Sequence, residues 1–206
     1  MKKLPALFAA SAVLLAACTT TPEPVVNDSG DVRTAAAFAQ WRGPHEAEVA
    51  DFDVFLHSES LQGLVPLHEL LRSASDWQKC EAEPFAVPPQ AQWVDAASVL
   101  RLVKALKVAG LLGRFEMHSG YRDAALNQCA GGAARSAHLR AFAMDITPRH
   151  VETVLPALCN FWREQGPALN MGLGQYPSGR IHLDTRGHRT WGRDGSSKTS
   201  PCLAQG

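Results

Sequence analysis

Two histidines and an aspartate are the residues of this sequence best suited to chemistry. His138 is followed seven positions later by Asp145, and His182 stands in a separate segment nearer the C-terminus. Catalytic zinc sites usually have three nitrogen or oxygen ligands and one open position for water. Two histidines and one carboxylate neutralise only part of the metal charge, so the metal lowers the pKa of its water towards ~7. These residue types therefore suggest a hydrolytic metal site, although each segment alone is a weak signal.

Three segments in a fixed order make the pattern more specific. They are Ser119-Gly120-Tyr121-Arg122, Ser136-Ala137-His138 continuing to Asp145, and Arg180-Ile181-His182-Leu183-Asp184-Thr185. Together they resemble the M15 family of zinc D,D-peptidases, over roughly residues 85–193. The resemblance implies the hedgehog/D,D-peptidase-like fold and one zinc ion per chain, bound by His138, Asp145 and His182. It also implies hydrolysis of peptide bonds in the stem peptides of peptidoglycan.

The same resemblance implies which residues contact the substrate. Arg122 would lie beside it, because a guanidinium can bind a carboxylate or a carbonyl oxygen under attack. Arg122 could alternatively be a surface residue at the start of a helix. Tyr121 and Ser136 are further candidates for substrate binding, and Ser136 could instead cap its loop.

The proton acceptor of such a reaction is not evident in the sequence. Many relatives carry an acidic residue three positions before the last zinc histidine, where this chain has Gly179. Asp184 lies on the same side of a strand as His182, because side chains alternate along a strand. Asp184 could be the general base, or it could orient a metal ligand. His118 and His188 are also candidates for the general base, although each could instead have a structural role.

Two functions of different classes remain open. One is an enzyme, either a carboxypeptidase that removes a terminal residue or an endopeptidase that cuts a cross-link. The other is a catalytically inactive module of the same fold that binds peptidoglycan or acts as a scaffold, which the missing acid at Gly179 would fit. The intact set of three ligands favours the enzyme.

Hydrophobic spacing and chain breakers predict the elements that position these residues. Helices are expected in four places: from Ala35 onwards, around Pro66, from Ala96 to Ala109 with Asp95 as the N-cap, and from Val151 to Gln165. A turn and short helix should follow Arg122. Strands are expected at Arg114–His118, Phe142–Thr147 and Arg180–Asp184, with a turn at Gly172–Gly174. Because helices gather early and strands late, the fold class is α+β, with a small antiparallel sheet and flanking helices.

The first residues resemble an export signal. Residues 1–17 combine a short basic start with an apolar stretch too short for a comfortable membrane span. The sequence Leu15-Ala16-Ala17-Cys18 resembles a lipobox, which would make Cys18 the lipidated N-terminus; an ordinary signal peptide is the alternative. Residues 18–34 would form a flexible tether. The resemblance implies a periplasm-facing lipoprotein, in the outer membrane because no aspartate follows Cys18, with a lipid anchor to that membrane and peptidoglycan as its partner.

Four cysteines besides Cys18 suggest two disulfides, because exported proteins commonly oxidise their cysteines. They are Cys80, Cys129, Cys159 and Cys202. Three connectivities are possible, and four free thiols remain an alternative. We favour Cys80–Cys129 with Cys159–Cys202, because the second bond would tie the tail to a helix.

Composition predicts one globular domain, over residues 35–206. Hydrophobic residues make up 46% of the chain and charged residues 19%, as in ordinary globular proteins. The formal net charge is zero. Binding to nucleic acid is not expected, because it needs a concentrated basic face. The sequence does not indicate an oligomeric state.

Overall fold

The computed structural model describes residues 31–203. The predicted signal peptide, the lipidation site Cys18 and the tether up to residue 30 lie outside the described residues. Within residues 31–203, no helix is long and apolar enough to cross a membrane.

Six α-helices surround the sheet in the described part of the chain. They are α1 (Ala35–Arg42), α2 (Glu46–Ser58), α3 (Leu67–Leu70), α4 (Trp93–Val108), α5 (Ala124–Cys129) and α6 (Val151–Glu164). Short 3-10 turns lie at Gly43–His45, Gln90–Gln92, Ala137–Arg140 and Ser197–Thr199. Helix α3 directly follows Pro66, as expected from a proline that precedes the first turn.

One five-stranded sheet forms the centre of the fold. Its strands are β1 (Phe115–Ser119), β2 (Ala143–Pro148), β3 (Gly172–Gln175), β4 (Ile181–Asp184) and β5 (Arg189–Trp191), in the order β1-β2-β4-β3-β5. All neighbours are antiparallel except β3 and β5, which are parallel. The predicted α+β class, with a small and mainly antiparallel sheet and flanking helices, is confirmed.

Alternation along the central strands separates an apolar face from a polar face. Met144 and Ile146 of β2, with Ile181 and Leu183 of β4, belong to the hydrophobic core. The intervening residues of these strands are polar and also buried, and they include Asp145. The core is completed by α4 and α6, which contact the sheet. The strand period of two therefore buries one face for stability and leaves the other to carry chemistry.

The ordered contacts of the domain begin before residue 35, where the sequence predicts its start. The Arg33 guanidinium is 2% exposed and donates to Asp31 and to the carbonyl oxygens of Ser73 and Ala74. Arg72 is completely buried and donates to the carbonyl oxygen of Arg33. The predicted tether boundary at residue 34 is therefore wrong for residues 31–34, because buried ion pairs and hydrogen bonds fix this segment.

Both favoured disulfides are present. Cys80 bonds to Cys129 at the end of α5, and Cys159 of α6 bonds to Cys202 in the C-terminal segment. The first bond links the loop after Ala74 to the end of α5. The second ties the tail to a helix, as the sequence suggested.

Two local predictions are wrong. Helix α4 begins at Trp93 instead of Ala96, with Gln92 at its N-cap, so Asp95 does not cap it. Asp95 lies instead in the first turn, where a carboxylate interacts favourably with the helix dipole, and it pairs with Arg140. The segment at Gly172–Gly174 is part of strand β3 and not a turn.

Candidate metal centre

One row of residues across the sheet forms the base of the site. Asp145 of β2 lies directly opposite His182 of β4, which lies opposite Gly174 of β3. The row ends in Ser119 of β1 and Trp191 of β5. Cross-strand partners share a face and lie within contact distance. Strand register therefore brings five residues, one from each strand, into a single row.

His138 reaches this row from the 3-10 turn at Ala137–Arg140. Its Nδ1 lies 2.6 Å from the carbonyl oxygen of Gly120. A carbonyl can only accept, so Nδ1 carries the proton and Nε2 keeps a lone pair. This Nε2 lies 3.2 Å from Asp145 Oδ1. The backbone of the Ser119–Arg122 turn therefore fixes the tautomer of His138 that a metal ligand requires.

His182 is fixed from behind by Asp184. Its Nδ1 lies 2.9 Å from Asp145 Oδ1, and its Nε2 lies 3.0 Å from Asp184 Oδ2. An ionised carboxylate can only accept, so Nε2 donates to Asp184. Asp184 thus contacts the ring nitrogen that faces away from Asp145 and His138. This position fits the orienting role for Asp184 and does not fit the predicted role of general base.

A second row of residues, two positions away along the strands and on the same face of the sheet, holds Asp184 in place. Asp184 lies opposite Gly172 of β3, which pairs with Arg189 of β5. Arg189 Nη2 reaches past the glycine to Asp184 Oδ2 at 2.9 Å. A Cβ on Gly172 would lie 2.2 Å from the same oxygen, and a Cβ on Gly174 would lie 2.0 Å from the Trp191 ring. Both glycines of β3 are therefore required by side chains that occupy the space above them.

The charges of the group are strongly coupled. Burial opposes ionisation of Asp145, but His138 and His182 hold its pKa well below its usual range. Burial lowers the pKa of His138. Burial also opposes protonation of His182, but hydrogen bonds to Asp145 and Asp184 outweigh it and raise the pKa of His182 to about 9. In the metal-free protein His182 is therefore a cation between two carboxylates at neutral pH.

Arg122 and Tyr176 lie above the group. Arg122 donates from Nη2 to Asp145 Oδ2 at 2.5 Å and from Nε to Ser119 Oγ at 2.8 Å. The Tyr176 hydroxyl lies 3.5 Å from His182 Nδ1. Burial and the Asp145 carboxylate raise the Tyr176 pKa far above its ordinary value, so the phenol stays protonated. Both residues can donate hydrogen bonds at the mouth of the site.

The donor set fits a metal ion. One ligand atom each from His138, Asp145 and His182 lies within 4.8 Å of the others, and all three residues are buried. Both histidines hold the far ring nitrogen in a hydrogen bond, and two nitrogens with one carboxylate oxygen suit zinc. The structure thus brings together the three predicted ligands and Arg122.

Other predicted residues lie elsewhere or have a different contact. The Ser136 hydroxyl accepts from the backbone N–H of His138, so it caps the 3-10 turn while lining the cleft. Tyr121 packs against the hydrophobic core and is not among the residues that line the cleft, so its contact with substrate stays a prediction. His118 binds Thr147 and His188 stacks on a tryptophan, and neither lines the cleft.

A cleft opens on both sides of this group. One arm has a volume of about 430 Å³, and the other about 340 Å³. Arg122, Ala130 and Tyr176 line both arms, so the arms meet above the metal centre. The larger, which we name the arginine arm, is lined by Arg122, Arg135, Arg186, Arg189 and Arg193. The smaller, which we name the serine arm, is lined by Ser75, Asp76, Ser178 and Arg180.

Comparison with protein families identifies the family of the chain. A family model described as Peptidase M15 matches residues 67–184, more than half of the sequence. The chain belongs to peptidase family M15. No curated protein and no solved structure matched it. The matched segment begins at α3 and ends at Asp184, so it contains His138, Asp145 and His182, but not Arg189 or Trp191 of β5.

Sequence reasoning missed Tyr176. Tyr176 follows Gly174 by two residues and therefore continues the face of β3 that carries the site. Gly174 lies opposite His182, and the Tyr176 ring packs edge-on against the Trp191 ring at 4.9 Å. Had Gly172–Gly174 been assigned to a strand, the same alternation that placed Asp184 beside His182 would have placed Tyr176 as well.

Proposed function

We propose that this protein is a zinc-dependent endopeptidase that hydrolyses cross-linking peptides of peptidoglycan. The observation that carries the proposal is a buried His-Asp-His donor group at the meeting point of two open cleft arms. Membership of family M15 supports peptidase chemistry. A carboxypeptidase needs to accommodate only a chain end on one side of the scissile bond. A cleft that continues past the metal centre in both directions suits a substrate with peptide on both sides.

The donor group defines where the chemistry would occur. A zinc ion held by His138 Nε2, Asp145 and His182 Nδ1 would supply Lewis-acid activation of water and of the scissile carbonyl. Asp184 would keep the His182 ring in position, since its carboxylate accepts from Nε2. Supporting hydrogen bonds of this kind set both the orientation and the basicity of metal ligands.

Arg122 and Tyr176 would bind the reacting amide. Arg122 is held by contacts from Nε to Ser119 and from Nη2 to Asp145, and it lines both arms together with Tyr176. The Arg122 guanidinium and the protonated Tyr176 hydroxyl would therefore offer hydrogen-bond donors where the two arms meet. Preorganised donors stabilise the negative charge that develops on a carbonyl oxygen under attack.

We propose Asp76 as the proton acceptor. Asp145 and Asp76 are the carboxylates among the described residues that line either arm, and Asp145 belongs to the ligand group. Asp76 is exposed, and it lines the serine arm together with Arg122, Asp145 and Tyr176. The Cys80–Cys129 disulfide holds its loop against the end of α5. An acid from this loop would replace the one that is missing at Gly179.

The expected place of action is the cell envelope. Residues 1–18 have the features of a lipoprotein signal, and we propose anchorage to the outer membrane through lipid on Cys18 with the domain facing the periplasm. Two disulfides within the described residues support an oxidising compartment. A tethered domain would reach a polymeric substrate near that membrane.

Digestion of purified sacculi and of defined muropeptides tests the function. We expect about one zinc per chain, conversion of cross-linked dimers to monomers, and little trimming of monomeric stem peptides, with products identified by mass. His138→Ala should lose both zinc and activity. If the zinc-loaded protein trims monomers but leaves dimers intact, the endopeptidase assignment is wrong. If it leaves both intact, the inactive binding module is the correct alternative.

A further inference from the structure

We propose that the arginine arm is a subsite for a carboxylate-rich segment of the substrate and so decides which way the substrate lies across the metal centre. The proposal rests on the proposed peptidase function. It concerns Arg135, Arg186 and Arg193, which contribute nothing to the metal group and which the family match does not assign.

Uncompensated positive charge distinguishes this arm. Arg122 and Arg189 pair with Asp145 and Asp184. Within residues 31–203, by contrast, no carboxylate forms an ion pair with Arg135, Arg186 or Arg193. No acidic residue occurs among the described residues that line this arm. Three guanidinium groups are therefore directed to one concave surface without a protein anion to balance them.

The shape of the arm suits an extended anionic peptide. Small residues line much of it between the arginines: Ala130, Gly131, Gly132, Ala133 and Gly195. Arg186 is braced by the protein, because its backbone N–H donates to Asp184 and its guanidinium donates to the carbonyl oxygen of Arg135. A guanidinium binds a carboxylate through two parallel hydrogen bonds. Its charge is also focused by the walls of a cleft.

The serine arm differs in charge. There Asp76 faces the same space as Arg180, and Arg180 Nη1 donates to Ser75 Oγ at 2.8 Å. A substrate with carboxylates on one side of its scissile bond would therefore place that side in the arginine arm. The opposite orientation would put anions near Asp76, where like charges repel. The two arms thus give the cleft a direction.

A matched pair of peptides tests this subsite. Both contain the same scissile bond, and one has its side-chain carboxylates converted to carboxamides. We expect the wild-type protein to prefer the carboxylate peptide at least tenfold in kcat/KM, mainly through KM, and to lose this preference as salt is raised. In Arg135→Gln/Arg193→Gln the ratio of the two kcat/KM values should fall towards one. The control Arg114→Gln/Arg149→Gln removes the same charge from exposed positions before β1 and after β2 and should keep the wild-type ratio.

Calorimetric binding of the same peptides separates this proposal from the proposed function. If the protein cleaves neither peptide but binds the carboxylate form at least tenfold more tightly, and Arg135→Gln/Arg193→Gln abolishes that difference, the subsite stands while the peptidase assignment fails. Equal affinity of the wild-type protein for both peptides overturns the subsite. It is also overturned if the Arg114/Arg149 control loses the preference to the same extent, because the effect would then be one of overall charge.

Discussion

Replacement of Asp184 by asparagine separates an orienting carboxylate from a general base. Asp184 accepts from His182 Nε2, from Arg189 Nη2 and from the backbone N–H of Arg186, all at 2.9–3.0 Å. Asparagine keeps the shape but loses the charge, and its amide offers one oxygen instead of two. Hydrogen bonds to charged groups contribute about 1.5–3 kcal/mol each, so His182 is left less firmly held.

The expected loss is in metal affinity. Changes to groups that support a metal ligand typically weaken metal binding about 10–100-fold, which corresponds to roughly 1.4–2.8 kcal/mol. We expect Asp184→Asn to need correspondingly more free zinc for half-maximal activity and to recover most of the wild-type kcat once zinc is saturating. Competition with a chromogenic chelator gives the affinity, and cleavage of a cross-linked muropeptide at buffered zinc concentrations gives kcat.

Asp76→Asn should show the opposite behaviour. Loss of a general base lowers the rate by roughly 10²–10⁴, and saturating zinc should not restore it, while zinc affinity should stay near that of the wild type. Asp51→Asn, at an exposed position on α2, controls for removal of a carboxylate. If zinc-saturated Asp184→Asn remains more than a hundredfold slow and Asp76→Asn is nearly normal, the assignment of the two roles is wrong.

Gly172→Ala tests the same support by a steric route. The new Cβ would lie 2.2 Å from Asp184 Oδ2, so either the carboxylate or strand β3 must move. We expect the zinc affinity to fall as in Asp184→Asn. Gly113→Ala provides the control, because a Cβ there meets no atom within 4 Å. Unchanged zinc affinity in Gly172→Ala would contradict the contact on which the orienting role depends.

Two further predictions concern the disulfides and the charge of the metal-free site. Cys80–Cys129 and Cys159–Cys202 span 49 and 43 residues, so removing either should lower the free energy of unfolding by a similar amount, at most about 4 kcal/mol in the chain-entropy treatment. Only loss of Cys80–Cys129 should also raise KM. Equal effects of the two removals on KM would refute the role of Cys80–Cys129 in holding the cleft. The pKa of His182 is raised to about 9 in the folded metal-free protein, against roughly 6.5 in the unfolded chain. Protonation of His182 therefore stabilises the fold fully below pH ~6.5, and this stabilisation is lost as the pH rises through 9. Urea unfolding with chelator should therefore show declining stability from pH 7 to 10 and histidine NMR a titration near 9, whereas an ordinary pKa would contradict the two-carboxylate environment.

The sequence predicted the three residues that the structure brings together at the candidate site and most of the elements around them, for physical reasons that are local. Helix α6 has a clear apolar stripe, and β2 and β4 alternate between apolar and polar residues, so their positions follow from periodicity. The order of the motifs identified His138, Asp145 and His182. These features depend on spacing along the chain, which a sequence shows directly.

The failures at the candidate site depend on neighbours across strands. Glycines usually interrupt strands, so the sequence predicts a turn at Gly172–Gly174. Their actual cause is the space taken by the Asp184 carboxylate and the Trp191 ring, which are distant in sequence. Alternation placed Asp184 on the face of His182 but could not tell which ring nitrogen it would contact. That single contact decides between a base and an orienting group.

The net charge of the chain also does not predict the cationic surface of the arginine arm. A formal charge of zero is an average over the chain, and it gave no reason to expect an anionic ligand. In the folded protein Asp145 belongs to the candidate ligand group and Asp184 supports it. These two carboxylates form ion pairs with Arg122 and Arg189, respectively. The guanidinium groups further along the arm form no ion pair with a carboxylate within residues 31–203. A chain with no net charge can therefore present a strongly cationic cleft beside its candidate metal centre, and the proposed direction of the substrate follows from that separation of charge.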